Sequence, residues 1–140
     1  MSKDTAARPA PSATILMLRD GGEGLEVFMV VRHHQIDFAS GALVFPGGKA
    51  DPQDFDPALK AHLDGAADDD DMRAMQVSAI REAFEECGIL LARAEGSSGL
   101  IDGARLATLE SYRTSLHSGA TPLIDFVRNE KLRLACDQLV

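Results

Sequence analysis

The residue types and spacing best suited to chemistry lie in one short segment, Arg81-Glu82-Ala83-Phe84-Glu85-Glu86-Cys87-Gly88-Ile89. A helix advances about 100° per residue, which places Glu82, Glu85 and Glu86 on one face. Three like charges on one face repel one another, and Arg81 offsets only part of that repulsion. A hard divalent cation held by carboxylate oxygens would neutralise the remainder. The spacing therefore indicates a metal site, with an ordinary solvated acidic face as the alternative.

The other face of the same helix is apolar, since Val77, Ile80, Phe84 and Cys87 recur at core spacing. We expect the helix to run from Met72 to Cys87 and to end at Gly88, in the position that favours glycine. The preceding run of four aspartates, Asp68 to Asp71, is interpreted as the helix N-cap and its first-turn charge rather than as a metal site.

A second segment upstream suits ligand binding. Phe45-Pro46-Gly47-Gly48-Lys49 follows the short apolar run Ala42-Leu43-Val44, which is typical of a strand. Two adjacent glycines after a strand allow positive φ angles and a close approach of the backbone to a ligand. Each segment alone is weak evidence, but the two in this order predict a catalytic site.

The two segments together resemble the Nudix box. The Arg81–Ile89 segment matches R-E-U-x-E-E-x-G-U, where U is a bulky apolar residue, although Ala83 is small for the first U. The first half of the box, G-x5-E, looks like Gly48 followed by Asp54, with Asp in place of Glu. The family has seven residues between this acid and the arginine, whereas residues 55–80 intervene here, so the box contains a long insertion, at about 52–71. The insertion leaves the role of Asp54 open.

The resemblance, which covers roughly residues 14–92, implies hydrolysis of the diphosphate linkage in a nucleoside diphosphate joined to another group, with Mg²⁺ or Mn²⁺ as cofactor. It implies that Glu85 and Glu86 are the central metal ligands. Glu82 would add a ligand or assist the attacking water, and Arg81 would orient the carboxylates through charge-assisted hydrogen bonds. The carbonyl of Gly48 would lie close to the metal.

Substrate contacts are expected from Arg32, Gly47, Gly48 and Lys49. Lys49 would touch a phosphate, unless it is simply an exposed loop lysine. The general base is either a box glutamate or a residue of a later loop.

Histidines are the other candidates for contacting an anionic substrate. His33 and His34, in the loop after the second predicted strand, are weighed against plain exposed histidines, and His62 and His117 are weaker candidates.

The substrate class is suggested by the approach to the glycines. Residues 41–48 fit G-x3-F-P-G-G, the end of a motif of the coenzyme A diphosphatases in this family, but the arginine expected four residues earlier is replaced by Asp37. The partial match favours coenzyme A or acyl-coenzyme A, with ADP-ribose and nucleotide sugars next. A catalytically silent Nudix-like binding module is the alternative of a different class, although the complete set of carboxylates favours an enzyme.

Composition sets broad limits on partners and location. The net charge of −8, from 22 acidic and 14 basic side chains, disfavours nucleic acid and anionic membranes as partners. No apolar run approaches the ~20 residues of a membrane-spanning helix, and residues 1–12 lack the apolar core of a secretory signal. We therefore predict a cytoplasmic protein with a small-molecule diphosphate substrate. The family often dimerises, so a homodimer is a possible assembly.

The two cysteines are expected to be free thiols. Cys87 is predicted to be a core thiol, Cys136 could equally be a core residue, and no disulfide is required.

The predicted elements give an α/β fold of the Nudix type, an α/β/α sandwich around a mixed sheet. Residues 1–12 are expected to form a flexible tail and residues 13–140 a single domain. Helices and strands are predicted at the following positions: strands over 13–19, 25–32 and 42–45, a hairpin turn over 20–24, a short helix over 58–63, the box helix, a strand over 89–92, a loop over 95–99, a helix over 104–116, a helix capped by Thr121 with Pro122 at its first position, and the start of a strand over 132–140. Because family members continue with further strands and a closing helix, we expect the C-terminal part of the fold to be missing from this chain.

Overall fold

The longest element is the helix α1, Asp70–Cys87, in the computed structural model, which describes residues 7–32 and 41–140. Asp69 caps its start by accepting a hydrogen bond from the Met72 amide at 3.0 Å, and Asp70 and Asp71 lie in the first turn. Gly88 ends the helix with φ 70°. The capping aspartate starts the helix two residues before the predicted Met72, and the capping role of the aspartate run is confirmed. Within the described part of the chain, no helix is long and apolar enough to cross a bilayer.

The described strands form short antiparallel pairs. They are β1 Ser12–Thr14 with β6 Gly47–Lys49, β2 Leu18–Gly21 with β3 Gly24–Val27, β4 Val30–Val31 with β5 Leu43–Val44, and β7 Ala92–Ala94 with β8 Leu132–Leu134. A parallel bridge joins Leu63 to Leu134. The hairpin turn predicted from Gly21, Gly22 and Gly24 lies between β2 and β3, where Gly21 pairs with Gly24.

Two predicted long strands are each divided in the structure. Residues 13–19 form the end of β1 and the start of β2, and residues 25–32 form β3 and β4. The division occurs because the chain changes partner: β1 pairs with β6, while β2 pairs with β3. A change of partner leaves no signal in hydrophobic periodicity, so the sequence predicted continuous strands.

The C-terminal half departs from prediction at its element boundaries. The helix predicted over 104–116 is two short helices, α2 Gly103–Thr108 and α3 Tyr112–His117. The next helix, α4 Leu123–Asn129, follows Pro122 and is not capped by Thr121; the amide of Leu123 instead donates to Oε1 of Gln53 at 2.8 Å. The strand predicted over 89–92 begins only at Ala92, and β8 is followed by a 3₁₀ turn, Cys136–Gln138, rather than by more strand.

Helix α1 separates two apolar clusters. On one side Val77, Ile80 and Phe84 pack against α4 and β8 in the larger cluster, and on the other side Ala79 and Ala83 pack against Ile15 after β1. Burial of both sides fixes the helix relative to the strands and so fixes where its acidic face points. Cys87 is only half-buried, so its predicted core position is wrong, whereas Cys136 is fully buried; both thiols are free.

The insertion within the box is folded onto the domain. It contains two 3₁₀ turns, Pro52–Phe55 and Pro57–His62, the second of which overlaps the predicted short helix. Leu59 and Leu63 of the insertion are buried in the larger apolar cluster.

Ion pairs hold the far end of the insertion. Asp64 accepts hydrogen bonds from Arg133 at 2.6 Å and from Arg93 at 3.1 Å, and Arg93 also forms a two-pronged pair with Asp137 at 2.8 and 3.0 Å. The insertion is therefore attached to β7, β8 and the final 3₁₀ turn.

Truncating Phe126 tests the larger apolar cluster. Its ring stacks on Phe84 with centroids 5.5 Å apart and contacts Tyr112 at 4.6 Å. We expect Phe126→Ala to lower the free energy of unfolding by about 3–5 kcal/mol, measured by urea denaturation, because the cavity cannot collapse. Phe55→Ala is the matched control, since Phe55 is 42% exposed and should change stability little. Equal losses in the two variants would contradict this description of the core.

Acidification tests the ion pairs of the insertion. The hydrogen bond from Arg133 lowers the pKa of Asp64 below 3.8, and that from Arg93 lowers the pKa of Asp137 likewise. A carboxyl with a lowered pKa in the fold stabilises the protein above its ordinary pKa and loses that effect as pH falls through the folded value. We expect Asp137→Asn to lower the melting temperature at pH 6 and the difference from the parent to shrink below pH 4. A difference that is constant over that range would rule out this contribution.

Candidate active site

The centre of the site is the guanidinium of Arg81, whose side chain is 5% exposed. Its Nε and Nη2 donate to the two carboxylate oxygens of Asp54 at 2.8 and 2.9 Å. Its Nη1 donates to Oε1 of Glu82 at 3.2 Å and to Oε1 of Glu85 at 3.1 Å, and Nη2 also reaches the carbonyl of Lys49 at 3.3 Å. Arg81 thus joins the two halves of the box and fixes two of its three glutamates.

Asp54 is placed by the first 3₁₀ turn of the insertion. Asp51 caps this turn by accepting from the Gln53 amide, and the Asp51 amide in return donates to Oδ2 of Asp54 at 2.8 Å. The side chain of Asp54 is fully buried against Arg81. The structure thus gives Asp54, whose role the sequence left open, the role of partner to the box arginine. Its signal in the sequence was the G-x5-D spacing, whose function the insertion obscured.

The glycines of β6 bring backbone to the acidic face of α1. The amide of Gly47 donates to Oε2 of Glu86 at 3.3 Å. A Cβ atom on Gly48 would lie 2.5 Å from Oε1 of Glu82, so a larger residue there would displace that carboxylate from its present position. Neither glycine has a positive φ angle, because both belong to a paired strand. The positive φ angles that the sequence allowed are therefore not adopted, and the backbone of β6 closely approaches the box glutamates. The close approach to a ligand stays a prediction.

The electrostatics of the site show acidic charge that is only partly neutralised. Desolvation and the charges of neighbouring glutamates raise the pKa of Glu82 and of Glu86 above the ordinary value, despite the opposing effects of Arg81 on Glu82 and of the Gly47 amide on Glu86. Burial disfavours the charged form of Arg81, but its hydrogen bonds and its charge pairing with Asp54 and Glu85 outweigh that and raise its pKa. One buried cation faces three glutamates and one aspartate, and the excess is negative.

The donor set fits a divalent cation in its chemistry. Glu82, Glu85 and Glu86 offer carboxylate oxygens, which hard cations prefer, and their net negative charge lacks a partner. Arg81 and Gly47 hold one oxygen of each glutamate, and the second oxygen of Glu85 lies 3.5 Å from Nδ1 of His117. Among residues 7–32 and 41–140, no three acidic, histidine or cysteine side chains already converge as a metal cage.

A cavity of about 850 Å³ opens beside these residues. Its walls include Gly47, Gly48 and Glu86 from the box, together with Arg32 and Lys49. Strand β1 also lines the cavity, and the remaining lining is apolar: Met29, Val30, Val31, Leu43, Val44 and Phe45. All four residues predicted to bind substrate therefore line one cavity, next to one box glutamate.

His117 lies closer to the glutamates than its sequence position suggested. Its Nδ1 is 3.5 Å from Oε2 of Glu85, whose side chain is 3% exposed. The sequence gave no signal for this contact, because α3 reaches α1 only through tertiary packing. His33 and His34 lie outside the described residues.

Removing the charge of Asp54 tests the buried pair. Asp54→Asn leaves the buried Arg81 without its main counter-charge and should lower the free energy of unfolding by about 3 kcal/mol, measured by urea denaturation. Asp68→Asn is the control, because this exposed side chain should contribute less than about 0.5 kcal/mol. Similar small effects in both variants would show that the pair is not needed.

The chain is similar to a solved structure of a known protein. No protein-family model matches the chain, and no curated protein matches it. Among solved structures, the chain is similar to the crystal structure of a NUDIX hydrolase from Alicyclobacillus acidocaldarius, with 29% identity and a TM-score of 0.67. The match covers 91% of this chain, which spans 57% of the length of that protein. It confirms the predicted Nudix-type α/β fold, and it agrees with the resemblance of the box residues to that family.

Proposed function

We propose that the protein is a metal-dependent pyrophosphohydrolase that cleaves the diphosphate linkage of a nucleoside diphosphate joined to another group. The observation that supports this most directly is that Arg81 fixes Glu82 and Glu85 on the acidic face of α1. The same face carries Glu86, which lines a cavity together with Arg32. The solved structure to which the chain is similar is itself a NUDIX hydrolase.

The negative charge of the site is matched to a cation and not directly to the substrate. A diphosphate approaching Glu86 would be repelled, so the three glutamates must first be neutralised. When bound by Glu82, Glu85 and Glu86, Mg²⁺ or Mn²⁺ supplies that charge, polarises the phosphoryl oxygens and activates water. The carbonyl of Gly48 is proposed as a further ligand.

The chain's own residues position the reactants. Arg81 holds one oxygen of Glu82 and one of Glu85, which leaves the second oxygen of each for a metal or for a water proton. Arg32 and Lys49 are cations on the walls of the cavity, where they can bind the phosphates of the substrate. Glu82 is proposed to complete the metal site or to assist the attacking water.

Coenzyme A or acyl-coenzyme A is the proposed substrate. The cavity combines cationic side chains with an apolar wall that includes Leu43 and Phe45 of the G-x3-F-P-G-G segment. A ligand in which a charged diphosphate joins a nucleoside to a long, less polar arm suits such a lining. ADP-ribose and nucleotide sugars, which lack a long arm, are the second choice.

A catalytically silent binding module is the alternative function. The observation in its favour is that the described carboxylates do not already form a metal cage. Such a module would bind one of these nucleotides without any Mg²⁺-dependent turnover, so binding and hydrolysis must be measured separately. The cytoplasmic location and a homodimeric assembly remain predictions from the sequence.

Replacement of Glu85 tests the enzymatic proposal. Hydrolysis of coenzyme A, an acyl-coenzyme A, ADP-ribose and NADH is measured with Mg²⁺ or Mn²⁺ by separation of the products. Loss of several kcal/mol of transition-state stabilisation lowers the rate by about 100-fold or more, and we expect such a fall in kcat for Glu85→Gln. Glu95→Gln, in an exposed loop, should match the parent.

The outcomes separate the claims. Turnover by the parent that is unchanged in Glu85→Gln would refute the role of Glu85. Absence of turnover on every substrate, with retained nucleotide binding, would favour the binding module. Preference for ADP-ribose over coenzyme A would overturn only the substrate assignment.

A further inference from the structure

The last turn of α1 is an unfavourable place for two glutamates. Glu85 and Glu86 lie where the helix dipole is negative, and that turn contains no basic residue. The final carbonyls of a helix also lack intrahelical partners. The amide of Gly88 donates a hydrogen bond to the carbonyl of Phe84 at 2.9 Å. The carbonyls of Glu85 and Glu86 therefore need donors from outside the helix.

Arg113 of α3 satisfies both of these carbonyls. Its Nε donates to the Glu85 carbonyl at 3.3 Å and its Nη2 to the Glu86 carbonyl at 3.0 Å, while its Nη1 pairs with Glu110 at 2.6 Å. A Cβ atom on Gly88 would lie 3.3 Å from Nη1 of Arg113, so the glycine that ends the helix also leaves room for the guanidinium. The planar fork of arginine allows one side chain to bind two successive carbonyls.

We propose that Arg113 is a positioning residue for the metal-binding turn of α1, an inference that rests on the proposed function. Arg113 holds the backbone of Glu85 and Glu86 from outside the helix, and its positive charge opposes the negative end of the dipole. It touches neither glutamate carboxylate through its described hydrogen bonds, so it acts through the backbone of the two ligands. Without it, the last turn of α1 frays and the two carboxylates lose their fixed separation.

A second arginine provides a matched control. Arg105 of α2 donates to the carbonyl of Glu130 at 3.0 Å and to its carboxylate at 2.7 Å, at the end of α4. Like Arg113, it joins a helix end to a neighbouring helix, but through one carbonyl and one carboxylate instead of two successive carbonyls. The end of α4 carries no box glutamate, so loss of Arg105 removes comparable bonds without touching the metal site.

The experiment compares Arg113→Gln and Arg113→Lys with Arg105→Gln in the full chain. Mn²⁺ affinity is measured in the absence of substrate, by electron paramagnetic resonance of the free Mn²⁺. The kinetic constants kcat and KM are measured on the best substrate of the panel. Thermal melting and amide hydrogen exchange of residues 85–88 complete the set. We expect Arg113→Gln to weaken Mn²⁺ binding and lower kcat by about 10- to 100-fold, as residues supporting metal ligands do. KM should change little, exchange at 85–88 should rise, and Arg105→Gln should keep parental Mn²⁺ affinity.

Each result decides the proposal. Equal Mn²⁺ affinity in Arg113→Gln and Arg105→Gln, with equal losses of melting temperature, would show that Arg113 serves only the fold. If Arg113→Gln fails to fold, Arg113→Lys takes its place, because lysine keeps the positive charge but lacks the planar fork. We expect Arg113→Lys to weaken Mn²⁺ binding to a smaller degree than Arg113→Gln. Parental Mn²⁺ affinity in Arg113→Lys would overturn the two-carbonyl role. A parent without turnover refutes the proposed function alone, because Mn²⁺ affinity still tests Arg113. If the parent binds no Mn²⁺, unchanged amide exchange at 85–88 in Arg113→Gln overturns the positioning role.

Discussion

The burial of one guanidinium among three carboxylates is the constraint on which the rest of the site depends. A buried charge is costly unless it is paired and fully hydrogen-bonded. Arg81 meets that condition through Asp54 on one side and through Glu82 and Glu85 on the other. These hydrogen bonds fix the orientation of each acid relative to the guanidinium. The box arginine is thus both the counter-ion of the site and the piece that fixes its geometry.

The division of the box by an insertion is compatible with this constraint because the inserted segment folds. The entropy cost of closing a flexible loop rises only slowly with the length of the loop. Here the inserted segment also gains packing, since Leu59 and Leu63 are buried in the core. Asp54 is held at one end by its capping turn, and Asp64 near the other by two arginines. Distance along the chain therefore does not weaken the Asp54–Arg81 contact, which depends on where the insertion begins and not on how long it is.

The sequence predicted what depends on local rules and missed what depends on tertiary partners. The acidic face of α1, its aspartate cap and its end at Gly88 follow from helical periodicity and capping preferences, and all three are found. The strands over 13–19 and 25–32 were predicted as continuous because periodicity does not record a change of partner. Gln53 satisfies the first amide of α4, which only the folded insertion makes possible, so the sequence placed that role on Thr121 instead.

The site residues show the same division between local and tertiary information. The spacing of Glu82, Glu85 and Glu86 was readable because all three belong to one helix. The contacts of Asp54, Arg113 and His117 with that helix were not, since each comes from a different element that the core brings into place. Gly48 lies between the two cases: its type indicated a close approach, but the partner, Glu82, was visible only in the fold.

The position of the glutamates at the C-terminal end of α1 links stability to function. Acids at the negative end of a helix destabilise it, typically by about 0.3–1 kcal/mol each at an exposed site. Burial and the charges of neighbouring glutamates raise the pKa of Glu82 and of Glu86, and the acidic face keeps an unmet need for positive charge. A helix with lysine in its last turn would be more stable, but its own charge would neutralise the glutamates and remove the demand for an external cation. The described structure supplies positive charge from Arg81 one turn earlier and from Arg113 on another helix, both tied to fixed partners. These two arginines hold the acidic face in shape without saturating it, and the remaining negative charge is what a divalent cation would bind.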